Sequence, residues 1–205
     1  MLITSIPHRH ASLLALLAEL DRQLPVPGAA VRVYRDNLQA SYGDKSQALI
    51  DSSRADYISF TDDDDLVAPD FVSRVMAVLQ DEPDYVGFPV RWTVDGEQQR
   101  PVEHSLRHGC WEDRAGMLVR DIAQFNPVKR ELALLGRWEG GYQAERRWGD
   151  QVRATGRVKT EAWIPDAMYY YQDSPADTFM ICRQPFAEAD IPLLPSYPWL
   201  TSIGS

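Results

Sequence analysis

Four aspartates in a row, Asp62 to Asp65, are the residues of this sequence best suited to chemistry. Like charges a few ångströms apart disfavour joint ionisation, so such a run is costly unless something offsets it. A hard divalent cation such as Mg2+ or Mn2+ takes carboxylate oxygens and is commonly held by one or two carboxylates together with substrate phosphates. The plain alternative is a solvated acidic turn ahead of a helix, where Asp is favoured near the positive end. A calcium loop of the EF-hand type fails on spacing. Counted from Asp62, the positions that need oxygen, glycine and glutamate hold Leu66, Val67 and Ser73.

Carboxylates become a site only where the fold brings other groups beside them. Leu2 to Ile6 reads as a strand broken by Pro7, and Leu13, Leu14, Leu16, Leu17 and Leu20 recur at helical spacing until Pro25. Val31 to Tyr34 reads as the next strand, Ser46 to Arg54 as a second helix, and Tyr57 to Phe60 as a third strand. This β-α-β-α-β alternation predicts an α/β fold, a mostly parallel central sheet flanked by helices. Ligands of such sheets bind at the carboxyl ends of the strands. Ser5 to Arg9, Asp36 and the acidic run all fall there.

Further on, Pro69 opens a helix with Phe71, Val72, Val75, Met76 and Leu79 on one face, and Tyr85 to Val94 reads as a strand ending in the Asp95-Gly96 turn. Residues 97–120 carry no clear period. Asn126-Pro127 has the form of a helix start and Gly136 of a stop; a later helix is expected over Gln143 to Thr155, and a strand over Val158 to Ile164. Pro185, Pro192, Pro195 and Pro198 make residues 183–205 a proline-rich tail that wraps the surface.

Composition narrows the classes. The chain of 205 residues has 21 Lys+Arg against 30 Asp+Glu, a net charge of −9, with 44% hydrophobic and 25% charged residues, as expected of a soluble globular protein. At this size a single core buries about 70% of the unfolded surface, so one domain is expected. The acidic balance argues against phosphate-driven nucleic-acid binding. Cys110 and Cys182 form neither a disulfide framework nor a CxxC pair, and no run of about 18 apolar residues spans a bilayer, so no transmembrane segment and a cytoplasmic setting are expected. The sequence carries no indication of oligomeric state.

Tyr57-Ile58-Ser59-Phe60-Thr61-Asp62-Asp63-Asp64-Asp65, followed by Pro69, resembles the DxD segment of family 2 glycosyltransferases. There a strand of the form Y-I-x-F ends in D-x-D-D, and a proline soon opens a helix. The Gly43 to Ala55 stretch and Asp36 are similar to the same family's preceding turn, helix and post-strand Asp. The resemblance implies a GT-A fold, a single Rossmann-like domain over residues 1–182, with a nucleotide-sugar-binding half (1–95) and an acceptor half (96–182) ahead of the tail. Asp63, Asp65 and Val67 also fit the DxDx[TV] letters of haloacid dehalogenase-type phosphatases. There, however, the nucleophilic Asp directly follows the strand, and here Thr61 and Asp62 intervene.

The family resemblance implies transfer of a sugar from a nucleotide diphosphate, UDP or GDP, with Mn2+ or Mg2+ as cofactor and inversion at the anomeric carbon. Asp64 would ligate the metal, Asp62 and Asp63 would reach the metal, its waters or the ribose, and Ser5, Pro7, Arg9, Asp36 and Lys45 would line the nucleotide. On its own, a lone Lys before a helix such as Lys45 is more often simply solvated. Trp148-Gly149-Asp150 resembles the family's acidic pair, with Gly149 in place of the commoner Glu and Asp150 as general base. From the residues alone, Asp150 is a helical partner of Arg146 or Arg153. The tyrosines at 169 to 171 stand where several relatives place a metal-binding His. Trp111, Trp138 and Trp148 offer ring faces to a sugar or to the core, and Arg146, Arg147 and Arg153 face an anionic acceptor or solvent. The acceptor would be a glycan, a small molecule or a modified nucleic-acid base. The competing readings are a non-catalytic binder of nucleotide sugar or carbohydrate, and a nucleotidyltransferase.

Overall fold

The computed structural model describes residues 1–114, 116–174 and 184–203, so Cys182 and the start of the expected tail lie outside the described residues. β1 (Leu2–Ser5), β2 (Val31–Arg35) and β4 (Phe60–Asp62) form a parallel sheet with α1 (His10–Gln23) and α2 (Tyr42–Ser52) as crossovers. Parallel neighbours need a crossover of about a dozen residues or more, and helices of this length supply it. In register, Thr4 lies between Tyr34 and Asp62, so Ser5, Asp36 and the acidic run leave the sheet at one edge.

The segment read as one strand over Tyr57 to Phe60 is two. β3 (Tyr57–Ile58) breaks at Ser59, whose carbonyl accepts from Leu2 N, and pairs in a second sheet. That sheet is mixed and built around the long β6 (Tyr85–Val94), which follows β5 (Leu66–Val67) and α3 (Phe71–Val78). The aperiodic stretch supplies its added strands: β7 (Glu97–Gln98), β8 (Val102–His104), β9 (Glu112–Arg114) and β10 (Met117–Arg120). β11 (Val128–Lys129), β12 (Glu161–Trp163) and β13 (Tyr169–Asp173) also pair with β6.

Three expectations are corrected. Asn126-Pro127 does not cap a helix: the Asn126 side chain is wholly buried, its Nδ2 donating to Val86 O at 2.9 Å, and β11 follows before the single-turn α4 (Arg130–Ala133). The second helix starts earlier than Ser46, because the Ser41 hydroxyl caps it by accepting from Asp44 N at 3.1 Å. The tail is not all surface wrap. Its end, β14 (Leu200–Ile203), adds a parallel edge strand to β2, beyond the last proline.

The expected C-terminal helix is α5 (Ala144–Ala154), closed by Gly156 at φ +61°. Two apolar clusters hold the layers. α1 and α3 pack Leu13, Leu17, Phe71 and Val75 on one side of the sheet, and α2 and α5 enclose Leu49, Trp138 and Trp148 on the other. Among the described residues no helix is long and apolar enough to cross a membrane.

Candidate functional site

The four carboxylates diverge because β4 ends at Asp62 and the chain turns at once, Asp65 N donating to Asp62 O at 3.2 Å. Arg9, on the turn Pro7–Arg9 that follows β1, lies across this turn. Its guanidinium meets Asp63 Oδ1 at 3.0 Å and Asp64 Oδ2 at 2.9 Å. Burial alone would lower the Arg9 pKa, but the charges of Asp63 and Asp64 overcome it and raise it. Asp65 points the other way. Its carboxylate accepts from the Tyr169 hydroxyl at 2.6 Å and from Gln172 N at 2.7 Å. The Tyr42 hydroxyl donates to Asp62 Oδ1 at 3.3 Å, at the long limit for such a bond.

Burial dominates the electrostatics of this turn. It pushes the Asp62 carboxyl up to about 7, with the Asp64 charge adding, and Asp63 to about 6 against the pull of Arg9. Asp65 rises well above the carboxylate range through burial and the charges of Asp62 and Asp64. Asp63 Oδ2 is buried without a hydrogen-bond partner among the described residues.

At the neighbouring strand ends, Asp36 and Lys45 are joined: Lys45 Nζ donates to Asp36 Oδ1 at 2.8 Å and to Ser5 O at 3.2 Å, with both side chains buried. Lys45 is therefore not solvated. Asp36 also accepts from Ala40 N at 2.5 Å, fixing the loop that leads to α2. Beside it, Asn37 exchanges hydrogen bonds with the backbone of Phe186, whose ring meets His8 edge-on at 4.5 Å.

Asp150 lies on α5. It is ion-paired with Arg153, and Arg153 also forks onto Asp121 at 2.8 and 2.9 Å. Gly149 has a packing reason: a Cβ there would lie 2.5 Å from Ile122 O, so no acidic side chain fits. The acidic residue of α5 whose charge reaches Asp62 and Tyr42 is Glu145, in its first turn. Trp138 and Trp148 stack at 5.2 Å inside the core, which removes both as sugar platforms, while Trp111 lies under Arg120 at 4.5 Å. Arg147 is spent on the carbonyls of Glu139 and Tyr142.

Sequence reasoning therefore missed Tyr42, Tyr169 and Glu145. Period-two alternation over residues 169–173 would have put Tyr169 and Tyr171 on one face. Nothing in the sequence pointed Tyr42 or Glu145 at Asp62.

The donor set fits a hard divalent cation held with help. Asp62 and Asp64 offer carboxylate oxygens whose joint ionisation is opposed, and among the described residues no group of three His, Cys, Asp or Glu is arranged for a metal. The remaining ligands would have to come from phosphate and water.

The fold is shared with solved structures. S. aureus TarS 1-349 superposes with a TM-score of 0.63 at 11% identity, covering 83% of this chain and 59% of that one. Its complex with UDP-GlcNAc gives 0.62 at 11%, covering 84% and 58%. Glucosyl-3-phosphoglycerate synthase from Mycobacterium tuberculosis, in complex with Mn2+, UDP and phosphoglyceric acid, gives 0.57 at 12%, covering 87% and 72%. The chain thus spans less than two thirds of the TarS chain. No curated protein matches it. The model of "Glycosyl transferase family 2" matches residues 30–132, half of the chain, from β2 through the acidic run to α4. With the GT-A neighbours and the strand-end carboxylates, this match means that the chain belongs to glycosyl transferase family 2.

Proposed function

We propose that this chain moves a glycosyl group from a nucleotide-diphosphate sugar to an acceptor hydroxyl by in-line displacement with inversion. The observation that carries the reading is the turn at the end of β4, where Asp62 and Asp64 stand two residues apart beside Arg9. Complexes of the structural neighbours with UDP-GlcNAc, UDP and Mn2+ support a nucleotide-sugar donor and a metal.

Asp64 and Asp62 would hold Mn2+ or Mg2+, which when bound neutralises charge developing on the leaving diphosphate. Arg9 leaves Asp64 for the diphosphate as the donor enters, keeping a cation at the turn throughout. Asp63, buried behind it, keeps its bond to Arg9 Nη1. Ser5 and Pro7 shape the β1 turn against the nucleotide, and the Asp36–Lys45 pair positions the loop on which the nucleoside lies.

A general base must accept the acceptor's proton within hydrogen-bond reach. Two residues of α5 are offered for this role: Glu145, whose charge bears on Asp62, and Asp150, which would have to leave Arg153.

A thermal-shift screen of UDP- and GDP-sugars with and without Mn2+ tests the reading, because a specific ligand stabilises in proportion to the logarithm of its excess. A donor that stabilises only with metal, and is turned over to nucleoside diphosphate, supports it. Stabilisation without turnover favours a non-catalytic binder, and pyrophosphate release from a triphosphate favours nucleotidyl transfer.

A further inference from the structure

β13, β6, β8 and β10 lie side by side, and each turns two alternate residues to one face: Tyr171 and Asp173, Val90 and Trp92, Val102 and His104, Leu118 and Arg120. Closed over by Phe125, this face lines a cavity of about 190 Å3. It is smaller than the roughly 300–1,000 Å3 of pockets for drug-sized ligands, and suits one small unit. Phe125 stacks at 3.9 Å on Tyr169, the residue that holds Asp65, so two stacked rings stand between the cavity and the acidic run.

The cavity lining carries unmet polar groups. His104 is wholly buried. Its Nδ1 lies 2.7 Å from Asn126 Oδ1, an acceptor, because Asn126 Nδ2 donates to Val86 O. The proton therefore sits on Nδ1, and Nε2 is a bare acceptor, buried without a partner among the described residues. Trp92 Nε1, a donor, is likewise buried without a partner. A buried polar atom left unpaired costs about 1–3 kcal/mol, so each calls for a complement. Arg120 adds a cation and Asp173 an anion, and His104 is neutral, pushed down to about 3 by burial and the Arg120 charge. The lining is thus balanced in charge, offers both donors and acceptors, and is walled by aromatic rings. A lone anion would leave Asp173 opposed and His104 Nε2 still unmet.

We infer that this cavity is the acceptor subsite and takes a neutral, polyhydroxylated ring, one hydroxyl donating to His104 Nε2 and one oxygen accepting from Trp92 Nε1. The inference rests on the transferase reading for the word acceptor, but its binding is measurable without turnover. The test is a titration of the 15N-labelled chain with methyl glycosides, following the Trp92 indole resonance identified by Trp92→Phe. At least one glycoside is expected to move that resonance downfield. His104→Phe should weaken the binding about tenfold, the loss of one buried hydrogen bond. Asp173→Asn, on a less buried residue, repeats the test should His104→Phe fold poorly. If no neutral glycoside moves the resonance, or only glucuronate or phosphoglycerate does, the inference is overturned. Shifts unaltered in both variants overturn it as well. Donor hydrolysis, followed in parallel, reports on the transferase reading: binding without hydrolysis removes that reading and keeps a carbohydrate site, and hydrolysis without binding does the reverse.

Discussion

The Tyr169 hydroxyl donates to Asp65 Oδ2 at 2.6 Å and accepts from the Asp62 backbone N–H at 3.0 Å, so one phenol ties both ends of the acidic turn to β13. Tyr169→Phe keeps the ring on Phe125 and removes both bonds, leaving a buried carboxylate with the Gln172 amide as its remaining bond. A loss of about 1–3 kcal/mol in urea unfolding is expected. An unchanged midpoint would mean the hydroxyl does not hold the turn.

Arg9 supplies the positive charge that Asp63 and Asp64 share. Arg9→Met should destabilise by about 2–4 kcal/mol, less than for a fully buried pair because a quarter of the Arg9 side chain is exposed. Its thermal response to Mn2+ should exceed that of the wild type, since the cation no longer competes with a guanidinium for Asp64. Equal responses in the two proteins would show that Arg9 and the metal do not share that carboxylate.

How much of this was legible in the sequence depends on whether the determinant was local. The acidic run, Pro7 and Asp36 follow strands whose apolar runs mark their own ends, so their common edge was readable from alternation alone. Glu145 and Asp150 occupy one helix, and which of them faces Asp62 depends on how α5 packs against Ile122. That contact spans more than twenty residues and leaves its mark only in Gly149. The expected Asn126 cap failed for a similar reason: tertiary hydrogen bonds to His104 and Val86 took a side chain whose local signal was for a helix start. β14 pairs with a strand more than 160 residues away, which no local pattern encodes.

Gly149→Ala tests the α5 packing directly. The added methyl would meet Ile122 O, and overpacking of this kind costs about 1–3 kcal/mol. Ala at the exposed Arg146 is the control and should stay within about 0.5 kcal/mol of wild type.

His104 gives a pH signature. Its folded pKa, about 3, lies below the ordinary 6.5, so between those values the unfolded chain binds a proton that the folded chain does not. Stability therefore falls as pH drops through that window, by about 1.4 kcal/mol per unit. Asp62 and Asp63, pushed up to about 7 and 6, act in the opposite sense, so the wild-type profile alone does not isolate the histidine. The stability difference between wild type and His104→Gln should shift by about 2 kcal/mol against the wild type from pH 6.5 to 5. A constant difference would contradict a buried, neutral ring.

The central claim, that the β4 turn serves glycosyl transfer, is tested most directly by identifying the nucleotide released from UDP- and GDP-sugars with Mn2+, for wild type, Asp64→Asn and Glu145→Gln. The account predicts a nucleoside diphosphate from the wild type. It predicts a fall of at least a hundredfold in Asp64→Asn, and a comparable loss of acceptor-dependent release in Glu145→Gln, the scale of a lost general base. Release that persists at the wild-type rate in Asp64→Asn, or no nucleoside diphosphate from any donor, would contradict it.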